Sequence, residues 1–169
     1  MRKAGSDPGF PPTPEGGEPE HGVRPGASSR PLAAARFAYF DHDADTGVIG
    51  CGETVAEAFV QAAEATFALM CDTDAVQPVE RVDLEFTEAD TELALVTWLN
   101  LLLAHANARG LALGRFALAR DGDRWRGSAR GERWHAGLER GTQVKGATLT
   151  ALKVARSGDG WEARCVVDL

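Results

Sequence analysis

Apolar residues along this chain recur at helical spacing in two stretches and alternate with polar ones in several others. In "VAEAFVQAAEATFALM", Val55, Ala58, Phe59, Ala62, Ala63, Phe67 and Met70 share one face, with Gln61 and Glu64 on the far side, which predicts a helix. Thr54 with Glu57 three residues later forms a capping box at its start. A second helix is predicted after Asp90, with Leu93, Val96, Leu99, Leu103 and Ala106 as its apolar stripe and Gly110 as its stop. "RFAYFDH" has the aromatic alternation of a short strand, "TGVIGCG" reads as a small-residue strand or bend, and "RVDLEF" places Val82, Leu84 and Phe86 on one face. "GRFALARDGDRWRGSARGE" predicts a hairpin turning at Asp121-Gly122. After a loop near Gly137, "TQVKGATLTALKVARSGDGWEARCVVDL" predicts another, turning at Ser157 to Gly160. The order strand, helix, strand, helix and then hairpins is an α+β pattern: two layers, two helices packed on one face of a mostly antiparallel sheet.

Composition divides the chain. Residues 1–35 hold seven of the eight prolines and six glycines, so they are expected to be a disordered tail, with one folded domain over 36–169. The opening charges are not followed by an apolar signal-peptide core, and "LALVTWLNLLLAHA" is interrupted by Thr97, Asn100 and His105, so no membrane segment is expected. The tail has four basic and four acidic residues; the other 134 residues carry 14 basic and 21 acidic ones, the whole net charge of −7. That sign disfavours direct, tight nucleic-acid binding and leaves room for a basic protein partner. Cys51, Cys71 and Cys165 are odd in number and form no C-x-x-C, which fits core thiols in a reducing cytoplasm.

Most candidate chemistry is weak. "GVIGCGE" before a helix fits neither nucleotide-binding glycine pattern, and Glu53 and Glu57 would repel a phosphate there, so a tight turn is the expectation. In "RWRGSARGERW" the alternation puts Arg124, Arg126 and Arg130 opposite Trp125, a solvated face backed by a core tryptophan rather than a stacking platform for a nucleic acid. His42, His105 and His135 lack zinc-site spacing, and no G-x-S-x-G elbow suggests a serine nucleophile. The cluster Asp41, His42, Asp43 and Asp45 is different, because closely spaced carboxylates suit hard cations. It lacks the later glutamate of an EF-hand, and on these residues alone an Asx-rich turn and a metal site both stay open.

Several motifs in register extend the reading. "YFDHDADTGVIGCGETVAEAFVQAAEATFALMCD" resembles the opening of the archease family, an aromatic followed by D-H-T-A-D, a glycine-rich strand and a helix ending in F-x-L-M. "LVTWLNLLL", Gly131-Glu132, "TQVKGATL" and the closing "GWEARCVVDL" resemble further family markers, so the resemblance spans residues 36–169. It implies a non-enzymatic protein that activates an RtcB-type RNA ligase, promoting guanylylation and multiple turnover when tRNA halves or broken RNA ends are sealed with GTP. It also implies a divalent cation (Ca²⁺, Mg²⁺ or Mn²⁺) held by Asp45, Asp168 and the chain-end Leu169, with Lys145 as a functional lysine and Asp41, His42 and Asp43 shaping the site. The chain departs from the family at Asp43, where threonine is usual, at Leu101, where an acid follows W-L-N, and at Leu149-Thr150, which replace Tyr-His. Two other expectations stand beside it: a metal-dependent hydrolase using the same acids, and a general chaperone-like binding module.

Overall fold

Residues 36–169 are described by the structure, a computed structural model; the tail expected at 1–35 lies outside the described residues. The aromatic alternation and the glycine-rich run after it form one hairpin. Strands β1 (Phe37–His42) and β2 (Asp45–Gly52) pair antiparallel from Phe37↔Gly50 to His42↔Asp45, joined by Asp43-Ala44. Asp43 adopts φ 47°, a left-handed conformation that aspartate tolerates better than most side chains. The glycines of β2 are therefore neither a phosphate loop nor a tight turn. A Cβ at Gly47 would fall 2.2 Å from the Phe40 ring, and one at Gly50 would fall 2.1 Å from the Ala58 carbonyl oxygen. They let an aromatic ring and a helix lie directly on the strand.

That helix, α1 (Val55–Ala68), begins as its local sequence dictates. The Thr54 hydroxyl accepts from the Glu57 N–H at 3.1 Å, while the Glu57 carboxylate accepts from the backbone of Glu53 and Thr54 at 2.8 and 3.3 Å. Thr54→Ala is expected to lower stability by about 1 kcal/mol, read as a shift in the urea midpoint with an unchanged slope.

Strand β3 (Glu80–Thr87) leads to α2 (Thr91–Arg109), capped by the Asp90 carboxylate and ended by Gly110 at φ 65°, both as expected. The face that α2 buries differs from the expected stripe. Ala94, Leu95, Trp98, Leu99, Leu102, Leu103 and Ala106 are buried, whereas Leu93 is 42% exposed and Val96 only half-buried. Apolar residues occur almost all round this helix, so periodicity alone does not choose its orientation. Trp98 does: its indole N–H donates to the Phe59 carbonyl at 3.1 Å and ties α2 to α1.

Strands β4 (Leu111–Asp121) and β5 (Arg124–Arg133) form a hairpin whose loop is Gly122-Asp123, one residue later than expected, with Gly122 at φ 59°. The final region is β6 (Gly146–Ala147), β7 (Lys153–Ser157) and β8 (Gly160–Asp168), with β7 and β8 turning between Ser157 and Gly160. The segment expected as one strand before that turn is broken by Thr148–Leu152.

The class is α+β, with two helices and mostly antiparallel strands. The strands, expected in one sheet, divide between two: β1-β2-β8-β6, with β7 also on β8, and β3-β5-β4. Both helices pack against strands of both sheets, so one core joins everything. Phe59 of α1 stacks on Trp125 at 5.0 Å, and Trp125 on Phe86 at 5.9 Å, all nearly parallel. On the other side of the same core lie Val48, Ala163, Cys165 and Val167. Trp125 is fully buried while Arg124, Arg126 and Arg130 are exposed, as the alternation of β5 predicts.

Candidate functional site

The hydrophobic alternation of β8 fixes which way its end faces. Ala163, Cys165 and Val167 are buried against the helices, so Asp168 points to the outer face. In the ladder, Thr46 pairs with Val167 and Gly146 with Asp168. Asp45, next to Thr46, therefore stands beside Asp168 on the neighbouring strand, and His42 pairs with Asp45 one strand further on. His42, Asp45 and Asp168 form one cross-strand row on the outer face, because directly opposed residues point the same way.

Two hydrogen bonds close this row around the last residue. The Leu169 N–H donates to Asp45 Oδ1 at 3.3 Å across 124 positions of sequence. Lys145 Nζ donates to the Leu169 oxygen at 2.5 Å, while its backbone N–H donates to the Asp168 carbonyl at 2.8 Å. The Leu169 side chain packs against the main core, which anchors the chain end. Lys145 is exposed, Asp168 exposed and Asp45 half-buried.

Asp45, Asp168, Leu169 and Lys145 thus meet at one place. Asp41 and Asp43 do not join them: Asp41 pairs with Thr46 and so lies on the opposite face of β1, and Asp43 is exposed at the hairpin tip. The cluster that looked like an irregular acidic turn is a two-residue loop with strand residues on either side. His42 shares the row, and its Nδ1 is buried without a hydrogen-bond partner among the described residues. Three His, Cys, Asp or Glu side chains do not close into a metal cage anywhere among the described residues. The oxygens at this row are the Asp45 and Asp168 carboxylates and the Leu169 oxygen that Lys145 holds, an all-oxygen set that suits a hard cation completed by water or by groups of a partner.

Asn100 was given no role by the sequence beyond its place in W-L-N. Its side-chain amide accepts from the Ala147 N–H at 2.8 Å and donates to the Ala147 carbonyl at 3.1 Å, so α2 grips the two-residue strand β6 that follows Lys145. A lone amide in an otherwise apolar helix face is the signal that marks it.

Other candidates resolve into structure. Burial pushes the Cys165 thiol up to about 12 and also raises Cys51 and Cys71, so none is poised as a nucleophile. A shallow depression on the outer face of the three-stranded sheet lies between Arg81, Glu85, Ala117, Arg126 and Ser128, away from the acidic row. Its charges are already matched, Arg81 with Asp83 at 2.7 Å and Arg126 with Glu85 at 3.4 Å.

Residues 37–169 match the model of the Archease protein family (MTH1598/TM1083). Protein archease of Sulfolobus acidocaldarius is 34% identical over 137 residues, covering 79% of this chain and 99% of that protein. Protein archease of Thermococcus gammatolerans is 34% identical over 140 residues, with the same two coverages. Among solved structures, Methanobacterium thermoautotrophicum protein 1598 aligns with a TM-score of 0.67 at 29% identity, over 79% of this chain and 99% of that one. An archease from Thermotoga maritima, described as a possible chaperone, aligns with a TM-score of 0.55 at 24% identity, over 77% and 94%.

Proposed function

Because the chain belongs to the archease family, we propose that it is a cytoplasmic accessory protein that activates an RtcB-type, GTP-dependent RNA ligase in tRNA splicing or RNA repair. The observation that carries this reading is the convergence of Asp45, Asp168, Leu169 and Lys145 at one exposed end of the sheet, built from parts of the chain over a hundred positions apart. Such an end suits insertion into a partner's cleft better than turnover of a substrate of its own.

In this reading Asp45, Asp168 and Leu169 hold a divalent cation, Ca²⁺, Mg²⁺ or Mn²⁺. When bound, the cation offsets the repulsion of the adjacent carboxylates and offers positive charge to an oxygen ligand of the partner. The Leu169 N–H orients Asp45, and the Lys145 ammonium holds the terminal oxygen in place while balancing part of the acidic charge. Asn100 keeps β6 against α2, so the Lys145 backbone stays in register with Asp168. The protein supplies a preset arrangement of charge, and the ligase supplies the chemistry.

The test is ligation by a purified RtcB-type ligase with RNA ends in excess. With the chain present, the ligase should become guanylylated faster and turn over repeatedly; alone, it should stall after the first round. An equal number of turnovers with and without the chain would remove the proposal. General suppression of aggregation of unrelated proteins, insensitive to Asp45→Ala, would point to a chaperone-like module. Phosphate release from GTP by the chain alone would point to a hydrolase.

A further inference from the structure

Beside the acidic row, the strand that runs along β8 carries an excursion. Five residues, Thr148–Leu152, separate Ala147 from Lys153, whereas only Cys165 and Val166 separate their partners Arg164 and Val167. The three extra residues are ordered by their own bonds. Thr148 gives both its N–H and its hydroxyl to the Val166 carbonyl at 2.9 Å, and the Val166 N–H donates to the Thr150 carbonyl at 3.0 Å. Thr150 N–H reaches back to the Thr148 hydroxyl at 3.2 Å, and Leu152 N–H to the Leu149 carbonyl at 3.3 Å. Closing this turn puts Ala151 at φ 51°, a left-handed conformation that costs a residue with a Cβ about 1–2 kcal/mol.

The strained turn displays Leu149, whose side chain is 64% exposed. The bonds to Val166 place it two residues along β8 from Asp168 and four after Lys145. Bulges of this kind re-aim a side chain next to a functional site. A leucine held out to water on a rigid, strained support gains nothing within the monomer. It gains by entering an apolar pocket, with little ordering entropy left to lose.

We propose that Leu149 is the apolar anchor by which the acidic end of this protein docks on its protein partner. The occupant of this surface is a partner face with an apolar pocket for Leu149 beside a basic rim, which the exposed acids Asp43, at the hairpin tip, and Asp168 complement. The inference rests on the proposed role as ligase activator: the acidic row sets what happens at the partner's site, and Leu149 holds the two together.

The experiment measures the affinity of the full chain for the purified RtcB-type ligase by calorimetry, together with stimulation of ligation at saturating chain. Leu149→Asp should weaken binding about 30-fold, in the range of a central interface residue, with an unchanged melting temperature. At saturation its stimulation should match the parent's. Leu149→Met and Val79→Asp, the latter at another exposed apolar position, should stay within about threefold. Leu149→Asp binding as tightly as the parent, while Asp45→Ala still loses stimulation, would overturn the anchor and leave the activator role standing. A parent chain that neither binds nor stimulates the ligase would remove both.

Discussion

Gly50→Ala is expected to destabilise the domain by about 3 kcal/mol or more. A Cβ at this position would lie 2.1 Å from the Ala58 carbonyl oxygen and 2.3 Å from the Ala62 amide nitrogen. Both are backbone atoms inside a helix, so no side-chain rotation relieves the clash. α1 would have to lift from β2 and carry Ala58, Phe59 and Ala62, all fully buried, out of their packing. A melting temperature lower by roughly 10 °C is the expected reading. Gly158→Ala is the contrast. Gly158 has φ 60° and open space around it, so that change strains only the local backbone and should cost about 1 kcal/mol. Equal losses for the two variants would mean that α1 does not sit on Gly50 as described.

The same comparison shows what a sequence carries locally and what it does not. The capping box at Thr54, the Asp90 cap and the Gly110 stop are complete within a few residues, and all form as read. Alternation correctly set Trp125 inward and the β5 arginines outward, since period two needs only one strand. It could not say which sheet a strand joins, because facing a core looks the same from either side of the helices. The orientation of α2 escaped for a related reason: a helix touching two sheets is apolar over a wide arc, and the Trp98 bond that orients it depends on α1. The bulge after Ala147 carries no glycine or proline, and its left-handed residue is an alanine. The candidate site was legible only through the family resemblance. Spacing within "DHDAD" left a turn and a metal site open, and nothing local ties Asp45 to Asp168. The ladder of β2 and β8 does so, and it separates Asp41 from the site at the same time.

Asp168→Ala should lower divalent-cation affinity at least tenfold in titration calorimetry, while leaving the melting temperature nearly unchanged. The first half follows from the proposed donor set: Asp45 and Asp168 would supply its side-chain carboxylates, so removing one takes away half of them. The second half follows from its position, an exposed residue at the end of an outer-facing row. Its backbone carbonyl still accepts from Lys145, so β6 stays in register. Unaltered affinity would place any bound cation elsewhere.

In the proposed role the acidic row acts through a partner enzyme, and multiple-turnover ligation tests this most directly. Purified RtcB-type ligase is supplied with GTP, divalent cation and excess RNA ends, and product per ligase is counted with the parent chain or with Asp45→Ala at equal concentration. The parent should support many rounds. The variant should leave the ligase near a single round, although it folds and melts as the parent does. Many rounds with Asp45→Ala would contradict the account.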